Sequence, residues 1–207
     1  MNLITLADYA GIYVFAISGG LVAIRHNMDL FGILVISLLP AIGGGTLRDT
    51  LLDVPVFWLK EPWVIGIALA GGISTILYNS WNKVKFLVWA DALGLSLFAV
   101  LGTAKTYELG YGFITCVMMG TVTATGGGLI RDVVCGGPPL LLKEDIYAMA
   151  ALAGSSLCYL ALYCGVNTTI ALSAGFLIVF LIRGMAIHFK PKLPSAEQIQ
   201  RRIYRRK

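Results

Sequence analysis

The chain is 207 residues long, 57% hydrophobic and only 13% charged, with a mean hydropathy of +0.81 and a formal net charge of +5. A soluble domain carries about 25% charged residues, so this composition excludes an ordinary soluble globular domain. The apolar blocks run close to the roughly 20 residues a helix needs to cross the bilayer core. They lack the alternating segments of a membrane β-barrel, and the fold class is therefore all-α membrane protein.

Seven transmembrane helices are predicted, at roughly 5–24, 30–54, 63–80, 86–105, 111–135, 146–164 and 168–188. No basic stretch precedes the first block, whose first positive charge is Arg25, so it reads as a span and not as a cleaved signal. Asp8 and Asp91 stand near the starts of the first and fourth spans, where a carboxylate complements the helix dipole. Turn and charge signals mark the joins: Arg25-His26-Asn27, Lys60-Glu61-Pro62, Asn79 to Lys85, Glu108-Leu109-Gly110, Pro138 to Asp145 and Gly165-Val166-Asn167. Short joins favour antiparallel neighbours in a bundle. Trp58, Trp63, Trp81 and Trp89 read as a headgroup belt. The tail from Lys190 to Lys207, with Pro191, Pro194 and a basic cluster from Arg201 onward, reads as a soluble extension.

Lysine and arginine fall unevenly between the two sides. Arg25, Lys83, Lys85, Lys143, Arg183, Lys190, Lys192 and the terminal cluster share one side, against Lys60 and Lys105 on the other. Cytoplasmic loops hold the excess of positive charge, which puts the N-terminus outside and the C-terminus in the cytoplasm. The basic tail acts foremost as a topology determinant, and it faces anionic membrane lipids.

The chain also repeats itself. A shift of 83 residues brings Asp8 onto Asp91, Gly11 onto Gly94, Phe15-Ala16 onto Phe98-Ala99, Gly19 onto Gly102 and Pro55 onto Pro138. Because the repeated unit holds three spans, its second copy enters the membrane the other way up, as in many transporters and some channels. The organisation is then a first three-helix repeat at 1–85 and a second, inverted one at 86–167. A seventh helix at 168–189 and a basic cytoplasmic tail at 190–207 follow.

The same shift superposes two strings, Gly43-Gly44-Gly45-Thr46-Leu47-Arg48-Asp49 and Gly126-Gly127-Gly128-Leu129-Ile130-Arg131-Asp132. Each glycine weakens a helix by about 1 kcal/mol relative to alanine, and a buried arginine costs about 2.5–3.5 kcal/mol even on insertion scales. A triplet leaves the backbone ladder unshielded, so a bend or break is expected there. Carbonyls freed before the break would hold a cation, and N–H groups freed after it would form a positive half-helix end. Asp49 and Asp132 lie about 100° around the helix from their arginines, so each is expected to pair with another span. Snorkelling arginines and close helix packing explain either feature alone. Both together, twice and in register, favour a lined pathway.

Other chemistry is absent from the pattern. Cys116, Cys135, Cys158 and Cys164 form no CxxC pair, and His26 and His188 lie far apart at span edges. With no dinucleotide fingerprint, phosphate loop, metal-ligand spacing or nucleophile–histidine–acid set, the sequence implies no enzyme, no cofactor and no nucleic-acid partner.

The twin strings in two three-span halves, with a seventh helix, resemble the bacterial family of trimeric intracellular cation (TRIC) channels, also grouped as glycine transporter domains. The resemblance covers residues 5 to about 188. It implies a homotrimer in a bacterial cytoplasmic (inner) membrane, each protomer enclosing an hourglass pore for monovalent cations, potassium chiefly and sodium. It also implies that the second and fifth helices kink at the glycines and line that pore. Gly43, Gly44, Gly45, Arg48 and Asp49 then belong to one pore helix, and Gly126, Gly127, Gly128, Arg131 and Asp132 to the other. In animal members basic residues on the fifth span bind a phosphoinositide; Arg131 alone matches here. The local charge points elsewhere, because two arginines and two positive half-helix ends favour an anion or a carboxylate. A carrier of glycine or another small amino acid is therefore the alternative to the channel, with a non-transporting scaffold third.

Overall fold

Each apolar block forms a helix in the computed structural model, which describes residues 3–77, 83–143 and 146–189. The long helices are α1 (Leu3–Arg25), α2 (Leu30–Leu51), α4 (Trp63–Leu77), α5 (Lys83–Glu108), α6 (Phe113–Val134), α8 (Tyr147–Tyr163) and α9 (Thr168–Phe189). Two one-turn helices, α3 (Phe57–Lys60) and α7 (Leu140–Lys143), interrupt the joins after α2 and α6, beyond the seven expected spans. Five helices, α1, α2, α5, α6 and α9, are long and apolar enough to cross a membrane; α4 and α8 are apolar but shorter. The basic tail and Trp81 lie outside the described residues.

The 83-residue register reappears in local structure. Asp29 caps α2 by accepting from Gly32 N at 2.8 Å. Helices α2 and α6 end alike, with a left-handed residue two positions beyond the last helical one, Asp53 (φ 53°) and Gly136 (φ 67°). The next amide then reaches back, Val54 N to Asp49 O at 3.0 Å and Gly137 N to Asp132 O at 2.9 Å. This satisfies carbonyls that a helix C-terminus leaves open.

Packing follows the same register. Helix α1 packs on α2, α4 and α5, α2 on α6, and α5 on α6, α8 and α9. Where α1 crosses α5, Gly11 makes room for Phe98 and Gly94 makes room for Phe15, and the two rings meet edge to face with centroids 5.1 Å apart. Where α2 crosses α6, a Cβ on Gly44 would overlap Thr123 O, and a Cβ on Gly127 would lie 2.5 Å from Pro40 O. Each of these contacts is the other shifted by 83 residues with the two helices exchanged. The expected break at the glycine triplets does not occur: α2 runs unbroken through Gly43–Gly45, and α6 through Gly126–Gly128. At Gly44 and Gly127 the two intact helices approach backbone to backbone, which suffices to keep these two positions glycine.

Candidate functional site

Each arginine follows its triplet by one turn, and the two sites they build differ sharply. At the first, Arg48 Nε donates to Asp49 Oδ1 at 2.8 Å, and Lys105 Nζ, from α5, reaches the same oxygen at 2.9 Å. The other carboxylate oxygen accepts from Phe57 N at 3.0 Å, which ties the start of α3 to α2. Asp49 is fully buried, while its two cations edge a cavity of about 290 Å³. Asp8 of α1, Glu61 after α3 and Glu108 at the end of α5 line this cavity with them. Glu61 accepts a hydrogen bond from Tyr9 at 3.3 Å. Counting Asp49, four carboxylates meet two cations, so this chamber is net acidic.

At the second, Arg131 Nε donates to Asp132 Oδ1 at 2.8 Å, and Nη1 donates to Asp91 Oδ1 at 3.1 Å and to Ser18 Oγ. Asp132 Oδ2 accepts from Leu140 N at 2.9 Å, repeating the tie seen at Phe57. The Arg183 guanidinium of α9 lies 4.8 Å above the Tyr147 ring. Arg131, Asp91, Ser18 and Arg183 have no solvent exposure. A Cβ on Gly128 would have no atom nearer than the Tyr147 hydroxyl at 3.4 Å, with Arg131 Nη2 at 3.7 Å and Asp91 Oδ1 at 3.8 Å. Gly128 therefore borders a polar knot instead of a helix backbone.

Two substitutions between the repeats account for the difference. Leu101 and Lys105, which line the first chamber, correspond to Ser18 and Val22. Lys105 draws Asp49 to itself in the first half; in the second, the Ser18 hydroxyl adds a ligand to Arg131 and Asp91 closes on it. One site is open and the other is sealed.

All ten residues singled out in sequence lie on α2 and α6, and the triplets meet at the crossing. The pairing expected for the aspartates is different: each binds its own arginine, because the guanidinium folds back along its helix onto the neighbouring carboxylate. Among the described residues, Asp49 alone of the two also reaches another long helix, through Lys105. Asp91 is not a helix cap. Helix α5 starts earlier than expected, at Lys83, which places Asp91 inside the bundle as a partner of Arg131. Nothing in the sequence pattern singles out Ser18 or Tyr147. Arg183 is a buried residue of α9 and not a loop charge, and its place well inside the last apolar block is the sequence signal for that. Trp58 is more than a belt residue, since its Nε1 donates to Thr46 Oγ1 at 2.9 Å. Among the described residues no three of His, Cys, Asp or Glu gather into a metal-holding group.

Comparison with known proteins agrees with this architecture. The sequence model of a family described as "Glycine transporter" matches twice, at residues 5–80 and 88–163. The UPF0126 inner membrane protein YadS of Escherichia coli (strain K12) is 38% identical, over 91% of this chain and 93% of its own. The solved TRIC trimeric intracellular cation channel orthologue from Rhodobacter sphaeroides superposes with a TM-score of 0.88 at 36% identity, over 92% of this chain and all of that one. The chain belongs to the bacterial TRIC family. A second prokaryotic TRIC channel, crystallised in 0.5 M KCl, gives a TM-score of 0.86 at 30% identity over 92% of this chain and 98% of that one. As a TRIC protein the chain is an all-helical membrane protein and not an enzyme.

Proposed function

We propose that this protein is a monovalent-cation channel, passing potassium, with a path in each protomer lined by α2 and α6 and the two glycine–arginine–aspartate strings at its centre. The observation that carries the reading is the charge around the arginines. Both are held by carboxylates at 2.8 Å, and the open chamber beside Arg48 holds more acidic than basic groups. The positive field inferred from sequence is cancelled locally, and a net acidic vestibule concentrates cations. The carrier alternative rested on N–H groups freed at helix breaks; the helices are intact and offer none. The names of the solved relatives, which describe cation channels, support the same choice.

The sealed half then acts as the gate. Arg131 joins α6 to α5 through Asp91 and to α1 through Ser18, so this conformation is open at the Arg48 end and shut at the Arg131 end. The reciprocal contacts of α1 with α5 and of α2 with α6 support two inverted three-helix repeats, 1–85 and 86–167, followed by α9 and the tail. Lysine and arginine placement supports an inner-membrane orientation with the N-terminus and the chamber outside, and the family supports a homotrimer.

The experiment is a planar-bilayer recording of the full chain across a potassium chloride gradient. Unitary currents reversing near the potassium potential are expected. Replacing Glu61 and Glu108 with Gln should lower the conductance about two- to threefold, since each removes a charge from the vestibule. Reversal near the chloride potential would overturn the reading. Saturable glycine uptake into proteoliposomes without current would replace it with the carrier.

A further inference from the structure

Behind the acidic chamber lies a second cavity of about 360 Å³, a groove among α1, α5 and α9. Its walls are apolar: Ala7, Leu97, Val100, Leu172, Phe176 and Leu177 contribute most of them. Leu177 is 53% exposed, so the groove opens sideways along α9, toward lipid in a membrane. Ile4 and Leu101 line both cavities, so the partition between the apolar groove and the acidic chamber is one residue thick. On α1, Asp8 follows Ile4 by one turn; on α5, Lys105 and Glu108 follow Leu101 by one and two turns. That is a separation of about 6–10 Å between an apolar slot and a set of carboxylates.

We propose that this groove binds the alkyl chain of a single-chain amphiphile whose ammonium head sits among Asp8, Glu61 and Glu108, plugging the chamber from the membrane side. The charge balance selects the head. Arg48 and Lys105 both bond the same Asp49 oxygen, whereas Asp8, Glu61 and Glu108 bond neither cation. A sulfate or carboxylate head would add a negative charge to a chamber where negative charge is already in excess. The size selects the chain, since a slot of this volume lies in the range of small-molecule sites, and each methylene removed from water contributes about 0.8 kcal/mol. Only the consequence, a block, rests on the channel reading; the binding site does not.

The test uses the full chain and dodecylammonium carrying a diazirine at the end of its alkyl chain. Photolabelling in detergent, mapped by peptide mass spectrometry, should place adducts on α9 between residues 169 and 177. Excess dodecylammonium should suppress them, while ethylammonium and dodecyl sulfate should not. Ser173, an exposed residue that lines the groove but not the chamber, provides the variant. Ser173→Phe fills the slot and should reduce labelling about tenfold, equivalent to about 1.4 kcal/mol. In proteoliposomes dodecylammonium should inhibit potassium flux, with Ser173→Phe needing about tenfold more of it and keeping its uninhibited flux. Adducts confined to residues outside the groove walls of α1, α5 and α9, equal displacement by dodecyl sulfate, or undiminished labelling of the variant would each overturn the proposal. So would disulfide cross-linking between protomers through Ser173→Cys with no adduct on α9, which would assign the groove to a second copy. Specific labelling in a protein that passes no potassium would overturn the channel reading and leave the site standing.

Discussion

Arg131 is held by three side chains from three helices, Ser18 of α1, Asp91 of α5 and Asp132 of α6, none of which leaves it any contact with solvent. A guanidinium stays charged even in such surroundings, so removing a counter-charge leaves buried charge uncompensated. Asp91→Asn removes one of two and should cost about 3 kcal/mol, at the low end for breaking a buried pair because Asp132 is retained. Ser18→Ala removes a neutral acceptor of a charged donor and should cost about 1.5–3 kcal/mol. The counterpart substitution Asp8→Asn touches a residue bordering the open cavity, where solvent screens the change, and should cost clearly less. Thermal unfolding in detergent ranks the three. Potassium flux tests their role: Asp91→Asn and Ser18→Ala loosen the knot and should raise flux, whereas a gate located elsewhere would leave flux unchanged in both.

At the scale of the helix, the six motif glycines divide by what they face. Gly44 and Gly127 meet the backbone of the opposite helix, Gly43 meets the Ile130 side chain, Gly45 the Phe57 ring and Gly126 Leu47, whereas Gly128 meets only polar side-chain ends at ordinary contact distance. Gly127→Ala should therefore destabilise by about 1–3 kcal/mol through overpacking against a backbone that cannot yield. Gly128→Ala should be neutral or slightly stabilising, because alanine gains about 1 kcal/mol of helix propensity. A pair of melting curves distinguishes this from a scheme in which all three glycines serve a kink, where both substitutions would straighten and stiffen α6. The doubled string, its register and the helices that carry it could all be read from residue types, because glycine and arginine are conspicuous in an apolar block. The unbroken helices could not: three glycines announce that a side chain is unwelcome without saying whether the reason is a bend or a neighbour. Nor could the partners of Arg131, since Ser18 lies 113 positions away and a single serine carries no spacing signal. The one-turn helices α3 and α7 were illegible for a related reason, as each is held by a carboxylate eight residues upstream and not by its own sequence.

For the whole molecule, the consequence of two similar halves is an asymmetry of access. On the proposed reading an inverted repeat would offer the same path from either side, yet Leu101 and Lys105 line a chamber beside Arg48 where the other half has Ser18 and Val22 and a sealed Arg131. Reagents should feel that difference directly. With the four cysteines replaced, Glu108→Cys places a thiol in the open chamber, and a membrane-impermeant maleimide should label it on intact cells if the N-terminus is outside. Ser18→Cys, sealed behind Arg131, should resist labelling from both faces. Adding Asp91→Asn to Ser18→Cys should restore reactivity, because it frees the guanidinium that covers the position. Labelling of Glu108→Cys only in inverted vesicles would reverse the orientation while preserving the open chamber. Equal, rapid labelling of both single substitutions would mean that the path has no closed end, and the Arg131 knot would then be a structural clasp and not a gate.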